Sequence, residues 1–230
     1  ASYFGSWMYI FPIYAGITVI SAVWLFATPI QESESASESA SFYSTMSLLG
    51  NKTILLLFLG IVAVVGVDVG INTVSPKLMI ERAHMDVASA GLASSVYFFC
   101  RTAGALIGTI LLSRINDNRY FRIHIVIACI AMAALYFASA TVAILILIGA
   151  IGYGCSSIFS VIYANALKAQ PYKTNALSGL MITGVCGGAV VPPLMGVASD
   201  AIGSQIGSLL VISIAMAYLL ICSISMKNQK

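Results

Sequence analysis

Asp68 and Asn72 lie four residues apart in the run VVGVDVGINTV, residues 64–74, which continues the lipid-like stretch TILLLFLGIVA from Thr53. Residues i and i+4 share a face of an α-helix, so the acid and the amide project together. A carboxylate in hydrocarbon is costly and asks for a partner, a ligand or a proton. The next apolar stretch holds a cation, Arg101, in YFFCRTAG, with Tyr97 one turn before it. Carboxylate, guanidinium, amide and phenol together offer donors and acceptors to a polar solute, and the two charges suit either a structural ion pair or a pathway wall.

Motifs of soluble chemistry do not occur. His84 and His124 lie near predicted helix ends and form no H-E-x-x-H pattern, and there is no P-loop, no G-x-S-x-G element and no pair of catalytic acids. Cys100, Cys129, Cys155, Cys186 and Cys222 all fall inside apolar stretches without C-x-x-C spacing. Neither a disulfide framework nor a zinc site is expected, and the cysteines read as small packing residues. No metal or cofactor is expected. The net charge of +3 is small and gives no reason to expect a nucleic-acid partner.

The elements that must hold these residues are set by composition. Hydrophobic residues make up 60% of the 230-residue chain and charged residues 8%, where a soluble domain carries roughly a quarter charged. Apolar stretches recur at about 7–28, 53–74, 88–113, 121–138, 141–166, 176–198 and 204–226. Each is close to the length a helix needs to cross a bilayer. Segments such as AILILIGAIG do not alternate, which argues against a membrane β-barrel. The expected fold class is an all-α polytopic membrane protein lodged in a lipid bilayer.

Basic residues sort by side. The loops after the first, third and fifth stretches, with the C-terminal tail, hold Lys52, Arg114, Arg119, Arg122, Lys168, Lys173, Lys227 and Lys230, against Lys77 and Arg82 on the opposite side. The positive-inside rule places the C-terminus in the cytoplasm. Asp68 then lies about 22 Å into its helix and Arg101 about 18 Å from the same face. They are level to within about one turn.

The tract QESESASESASF, residues 31–42, is a low-complexity Ser/Glu/Ala segment with little to bury. We therefore expect residues 1–30 to form one transmembrane helix, 31–51 a flexible cytoplasmic linker, and 52–230 a six-helix bundle. One span, a linker and six closely connected spans suggest the last helix of one bundle followed by a complete second one, in the C-terminal part of a longer protein.

Further polar residues lie at membrane depth. Thr73 follows Asn72; Tyr153, Ser156, Ser160 and Tyr163 form an i, i+3, i+7, i+10 stripe; Ser178 and Thr183 lie in the sixth stretch. Hydroxyls, amides and a few aromatics suit a polar uncharged ligand such as a sugar, although Ser and Thr often bond their own helix backbone. Gly104 and Gly108 form G-x-x-x-G, Gly149, Gly152 and Gly154 cluster in the fifth stretch, and CGGAVVPP interrupts the sixth. These are places for close helix contact or bending.

Four stretches resemble the C-terminal half of the fucose/glucose/galactose:proton symporter branch of the major facilitator superfamily. GVDVGIN, residues 66–72, is similar to the branch's G-A-E-V-x-I-G, with Asp68 at its acid. CRTAG, residues 100–104, is similar to G-R-F-x-G, with Arg101 at its arginine, and SSIFSVIY, residues 156–163, to S-I-x-[aromatic]-P-T-I-F. SGLMITGVCGGAVVPPLMGVASDAIG, residues 178–203, resembles the eleventh helix and its outer loop. Ser160 stands where the branch has proline, and Cys100 where it has the glycine before its arginine. The loop RINDNR, residues 114–119, is a degenerate relative of the superfamily's basic cytoplasmic motif and could brace the two bundles by charge.

The resemblance implies the last helix of an N-terminal bundle plus a six-helix C-terminal bundle. It implies proton-coupled uptake of a monosaccharide such as fucose, glucose or galactose by alternating access in a bacterial inner membrane, and an N-terminal bundle that this chain lacks. Asp68, Asn72, Tyr97, Arg101, Ser156 and Phe159 are the candidate solute-binding residues. A transporter of another small polar solute, a channel subunit and an intramembrane enzyme stay open as alternatives.

Overall fold

The computed structural model describes residues 7–28 and 42–226. Residues 31–41 of the expected linker and the lysines of the C-terminal tail lie outside the described residues. Two units divide at Ser39 and Ala40. In the first, α1 runs Ile10–Ala27 with every side chain exposed. Thr18 and Ser21 donate to the carbonyls of Tyr14 and Ile17, each at 2.8 Å, which keeps their hydroxyls satisfied in an apolar helix.

The second unit begins with a short helix, α2 (Phe42–Ser47), and a 3-10 turn over Leu48–Gly50. Ordered structure therefore starts inside the segment expected to be linker through residue 51. The physical reason is local composition: Leu48 is buried, and Met46 and Leu49 pack against the core.

The remaining helices are α3 (Lys52–Ala83), α4 (Val87–Ala90), α5 (Leu92–Leu112), α6 (Asp117–Leu135), α7 (Thr141–Cys155), α8 (Ile158–Ala169), α9 (Thr174–Thr183), α10 (Gly187–Ile202) and α11 (Ile206–Ser225). Among the described residues, seven segments are long and apolar enough to cross a membrane, with α4–α5, α7–α8 and α9–α10 each counting as one. The seven expected spans are thus present, and the architecture is all-helical.

α3 is the organising element. Asn51 caps it by accepting the Thr53 amide at 2.9 Å, and it ends at His84 in the left-handed conformation, φ 51°. Its 32 residues reach about 48 Å, longer than the hydrocarbon of a bilayer, so its ends stand clear of the core. α3 packs against α5, α7, α8, α10 and α11; α7 lies between α5 and α6, and α11 reaches α6.

Two spans are interrupted. α7 stops at Cys155 and α8 restarts at Ile158, with Ser156 Oγ donating to the Tyr153 carbonyl at 2.8 Å. That side-chain bond takes an acceptor that the helix ladder would use, and the turn opens without a proline. The other break is a 3-10 turn, Gly184–Cys186, between α9 and α10. Just past it, a Cβ at Gly187 would collide with the backbone of Val62, so only glycine lets α10 approach α3 this closely.

Polar ties lock the ends of the bundle. Beside α3's C-terminus, Arg82 Nη1 donates to the carbonyls of Leu135, Tyr136 and Ala138 at 2.7, 3.2 and 3.4 Å, capping the end of α6. Glu81 accepts from Ser204 Oγ at 2.6 Å and the Gln205 amide at 2.9 Å, where α11 begins. At the opposite end, Lys168 Nζ meets Asp117 at 2.6 Å, joining α8 to α6. The acid of RINDNR thus braces helices of its own bundle.

Candidate functional site

Asp68 projects from the middle of α3 and Arg101 from the middle of α5. Arg101 Nη1 lies 2.9 Å from Asp68 Oδ2, and the two side chains keep 33% and 19% of their surface exposed. The depth match read from the sequence is a direct ion pair. The other carboxylate oxygen, Oδ1, accepts from the Tyr97 hydroxyl at 2.5 Å. Tyr97 and Arg101 are i and i+4 on α5, so one helix face delivers a donor to each oxygen of the acid.

Tyr97 is fully buried, 0% exposed. It meets Asp68 from the protein interior and holds no accessible surface of its own for a solute. Its ring lies in a slot on α7: a Cβ at Gly152 would sit 2.7 Å from the Tyr97 carbonyl and 3.0 Å from the ring. One turn along α5, Gly104 is matched in the same way to Ser156 and Tyr153 of the α7–α8 junction, and Gly108 to Ser157 and Tyr120. The G-x-x-x-G motif is therefore where α5 rides on the interrupted span. The role of Gly152 had a signal in the Gly149/Gly152/Gly154 cluster, but no pattern identified Tyr97 as its occupant.

The other candidates lie around this centre. Asn72 is half-buried one turn beyond Asp68, and its carbonyl accepts from Ser94 Oγ at 3.3 Å. Ser156 is half-buried and already bonded to its own helix. Phe159 is half-buried on α8, its ring nearly parallel to that of Tyr163, 13° apart with centroids at 6.1 Å. Ser160 is exposed. Thr73 and Thr183 spend their hydroxyls on the carbonyls of Val69 and Leu180.

Charge is concentrated at one point. Asp68 and Arg101 cancel, and the surroundings offer hydroxyl, amide and ring surface, a setting for a neutral polar solute. Arg101 Nε is buried without a protein partner, so the guanidinium has donor capacity beyond the acid. Among the described residues no group of three or more His, Cys, Asp or Glu side chains could hold a metal ion. His124 lies apart, its ring stacked on Tyr120 with centroids 3.8 Å apart and Nδ1 2.9 Å from the Tyr120 carbonyl.

A profile of the Major Facilitator Superfamily matches residues 1–193. The chain belongs to this superfamily. Its members are transporters rather than enzymes, and the chain is a multi-pass integral membrane protein. A Helicobacter pylori (strain J99) relative with a provisional glucose/galactose transporter name is 25% identical over 202 residues, covering 86% of this chain and 48% of the relative. A glucose/galactose transporter of Brucella abortus is 26% identical over 208 residues, covering 88% and 49%. The chain thus spans about half the length of the curated relatives it matches. The crystal structure of the E. coli fucose:proton symporter FucP in the outward conformation aligns over 92% of this chain and 52% of FucP, with a TM-score of 0.79 and 22% identity. That likeness shows the major-facilitator fold, matching half of FucP.

Proposed function

We propose that this chain is the C-terminal part of a proton-coupled monosaccharide transporter, and that Asp68, Arg101 and Asn72 form one wall of its solute site. The observation that carries the reading is the Asp68–Arg101 pair, at mid-depth in two spans and still partly open. An ion pair needed only for packing would be better buried or replaced by apolar residues, whereas intramembrane charges that keep access line pathways. Ser156 and Phe159, on the interrupted α7–α8 span, complete the wall with a hydroxyl and an apolar plate. Tyr97 acts behind it by holding Asp68 in place.

Residues 1–30 would be the last helix of the N-terminal bundle, 31–51 the connection, and 52–230 the C-terminal bundle. Alternating access then rocks the two bundles around a midplane site. The basic loops place the C-terminus in the cytoplasm of a bacterial inner membrane. Relatives named for glucose, galactose and fucose make a hexose or deoxyhexose the first solute to test.

The test is uptake of labelled glucose, galactose and fucose by the full-length protein in cells lacking their own carriers. At least one should accumulate, collapse on addition of a protonophore, and be lost in Asp68→Asn with folded protein unchanged. Failure of all three sugars to enter or compete would overturn the sugar assignment. Normal uptake per folded molecule in Asp68→Asn would overturn the site.

A further inference from the structure

The outward face of α6 changes character along its length. Arg119 and Arg122 are exposed in the first two turns, and Ile123, Val126, Ile127 and Ile130 are exposed beyond them. At 3.6 residues per turn all six fall on one side of the helix. His124, Ile125 and Ala128 fill the opposite side and are buried. α6 has 19 residues, so it measures about 28 Å, close to the roughly 30 Å of hydrocarbon in a bilayer. Arg119 and Arg122 then lie about 3 and 8 Å along the axis from Asp117. Their apolar stems can run along the helix while the guanidinium groups reach the headgroup level.

The protein provides no counter-charge for either arginine. Neither takes part in an ion pair among the described residues. Asp117, the one acid on α6, lies on the buried side of the helix and is engaged by Lys168. Arg122 Nη2 touches the backbone carbonyl of Ser223 at 3.5 Å, which ties it to the last turn of α11 without neutralising it. Two unneutralised cations at the end of a continuous apolar stripe match a molecule with an anionic head and hydrocarbon tails.

We propose that Arg119 and Arg122 bind the headgroup phosphate of an anionic phospholipid whose acyl chains lie along Ile123, Val126, Ile127 and Ile130. A soluble phosphate would leave the stripe uncovered, and an acidic protein segment could not follow it into hydrocarbon. A zwitterionic lipid covers the stripe but adds no net charge to oppose the arginines. The site is distinct from the Asp68–Arg101 pair and does not depend on which solute is carried.

Native mass spectrometry of the purified chain in neutral detergent, titrated with phosphatidylglycerol or phosphatidylcholine of matched chains, tests this. The chain should retain phosphatidylglycerol about 10- to 30-fold more tightly, the range expected from two basic groups at a charged headgroup. Arg119→Gln/Arg122→Gln should bring the two lipids to near parity. Arg119→Lys/Arg122→Lys should keep most of the preference, which separates loss of charge from misfolding. Arg114→Gln, exposed on the α5–α6 connection, should change little. Equal retention of the two lipids by the unaltered chain, a preference surviving in the double glutamine variant, or displacement of the lipid by millimolar inorganic phosphate would overturn the proposal.

Discussion

At the scale of single residues, the centre of the molecule is a carboxylate held on both oxygens by one helix. Hydrogen bonds to an ionised acceptor are roughly twice as strong as neutral ones, and two donors fix orientation where one would allow rotation. Tyr97→Phe keeps the ring in the Gly152 slot and removes only the hydroxyl. The pair should then loosen at a cost of about 1–3 kcal/mol, and solute affinity of the full-length carrier should fall about tenfold with folded yield maintained. Competition binding normalised to folded protein measures this, and unchanged affinity would remove Tyr97 from the site. Asp68→Asn and Arg101→Ala touch one interaction, so their double variant should lose less than the sum of the single losses. Additive losses would mean that the two residues act separately. The pair itself was legible in the sequence, because counting residues from two helix ends gives depth. The burial of Tyr97 was not: α5 is apolar on several sides, so its pattern does not say which way each residue turns.

At the scale of elements, seven apolar stretches translate directly into seven candidate spans, since length and hydropathy are local properties. The interruptions were harder to read. CGGAVVPP marks the α9–α10 break by its glycines, although both prolines lie inside α10. The α7–α8 break has no such mark and depends on a serine turning back onto a carbonyl. Residues 42–50 were also misjudged as linker, because a polar tract precedes them and a few apolar side chains suffice to dock a short helix. The tie at the end of α3 was invisible as well, since Arg82 reaches carbonyls more than fifty residues away. That contact makes a definite prediction. Arg82→Leu strips a charged donor from the otherwise uncapped end of α6 and should destabilise the bundle by about 2 kcal/mol. A thermal melt in detergent should show a lowered midpoint, and an unchanged one would mean that water caps those carbonyls equally well.

At the scale of the whole molecule, sidedness and completeness decide what the chain can do alone. Arg114, Arg119, Lys168 and Lys173 gather at one end of the bundle, while Arg82 and His84 lie at the other. His84→Cys should therefore react with an impermeant maleimide added outside intact cells, and a cysteine at Lys173 only after the membrane is opened. The reverse pattern would invert the assigned orientation. Completeness follows from the partial exposure of the Asp68–Arg101 pair. A solute site near the midplane of this fold needs a second wall, and alternating access needs a second body to rock against. The described residues supply one six-span unit and one further helix, and the chain covers 48% of one relative and 49% of another. Reconstituted by itself, the 230-residue chain should insert and fold yet fail to concentrate glucose, galactose or fucose against a gradient. The full-length protein in identical vesicles should do so when a proton gradient is imposed. Co-reconstitution with the missing bundle as a separate polypeptide should restore part of that uptake, because the halves would associate through the faces left open here. Concentrative uptake by the chain alone would show that it builds both walls itself, by pairing with a second copy.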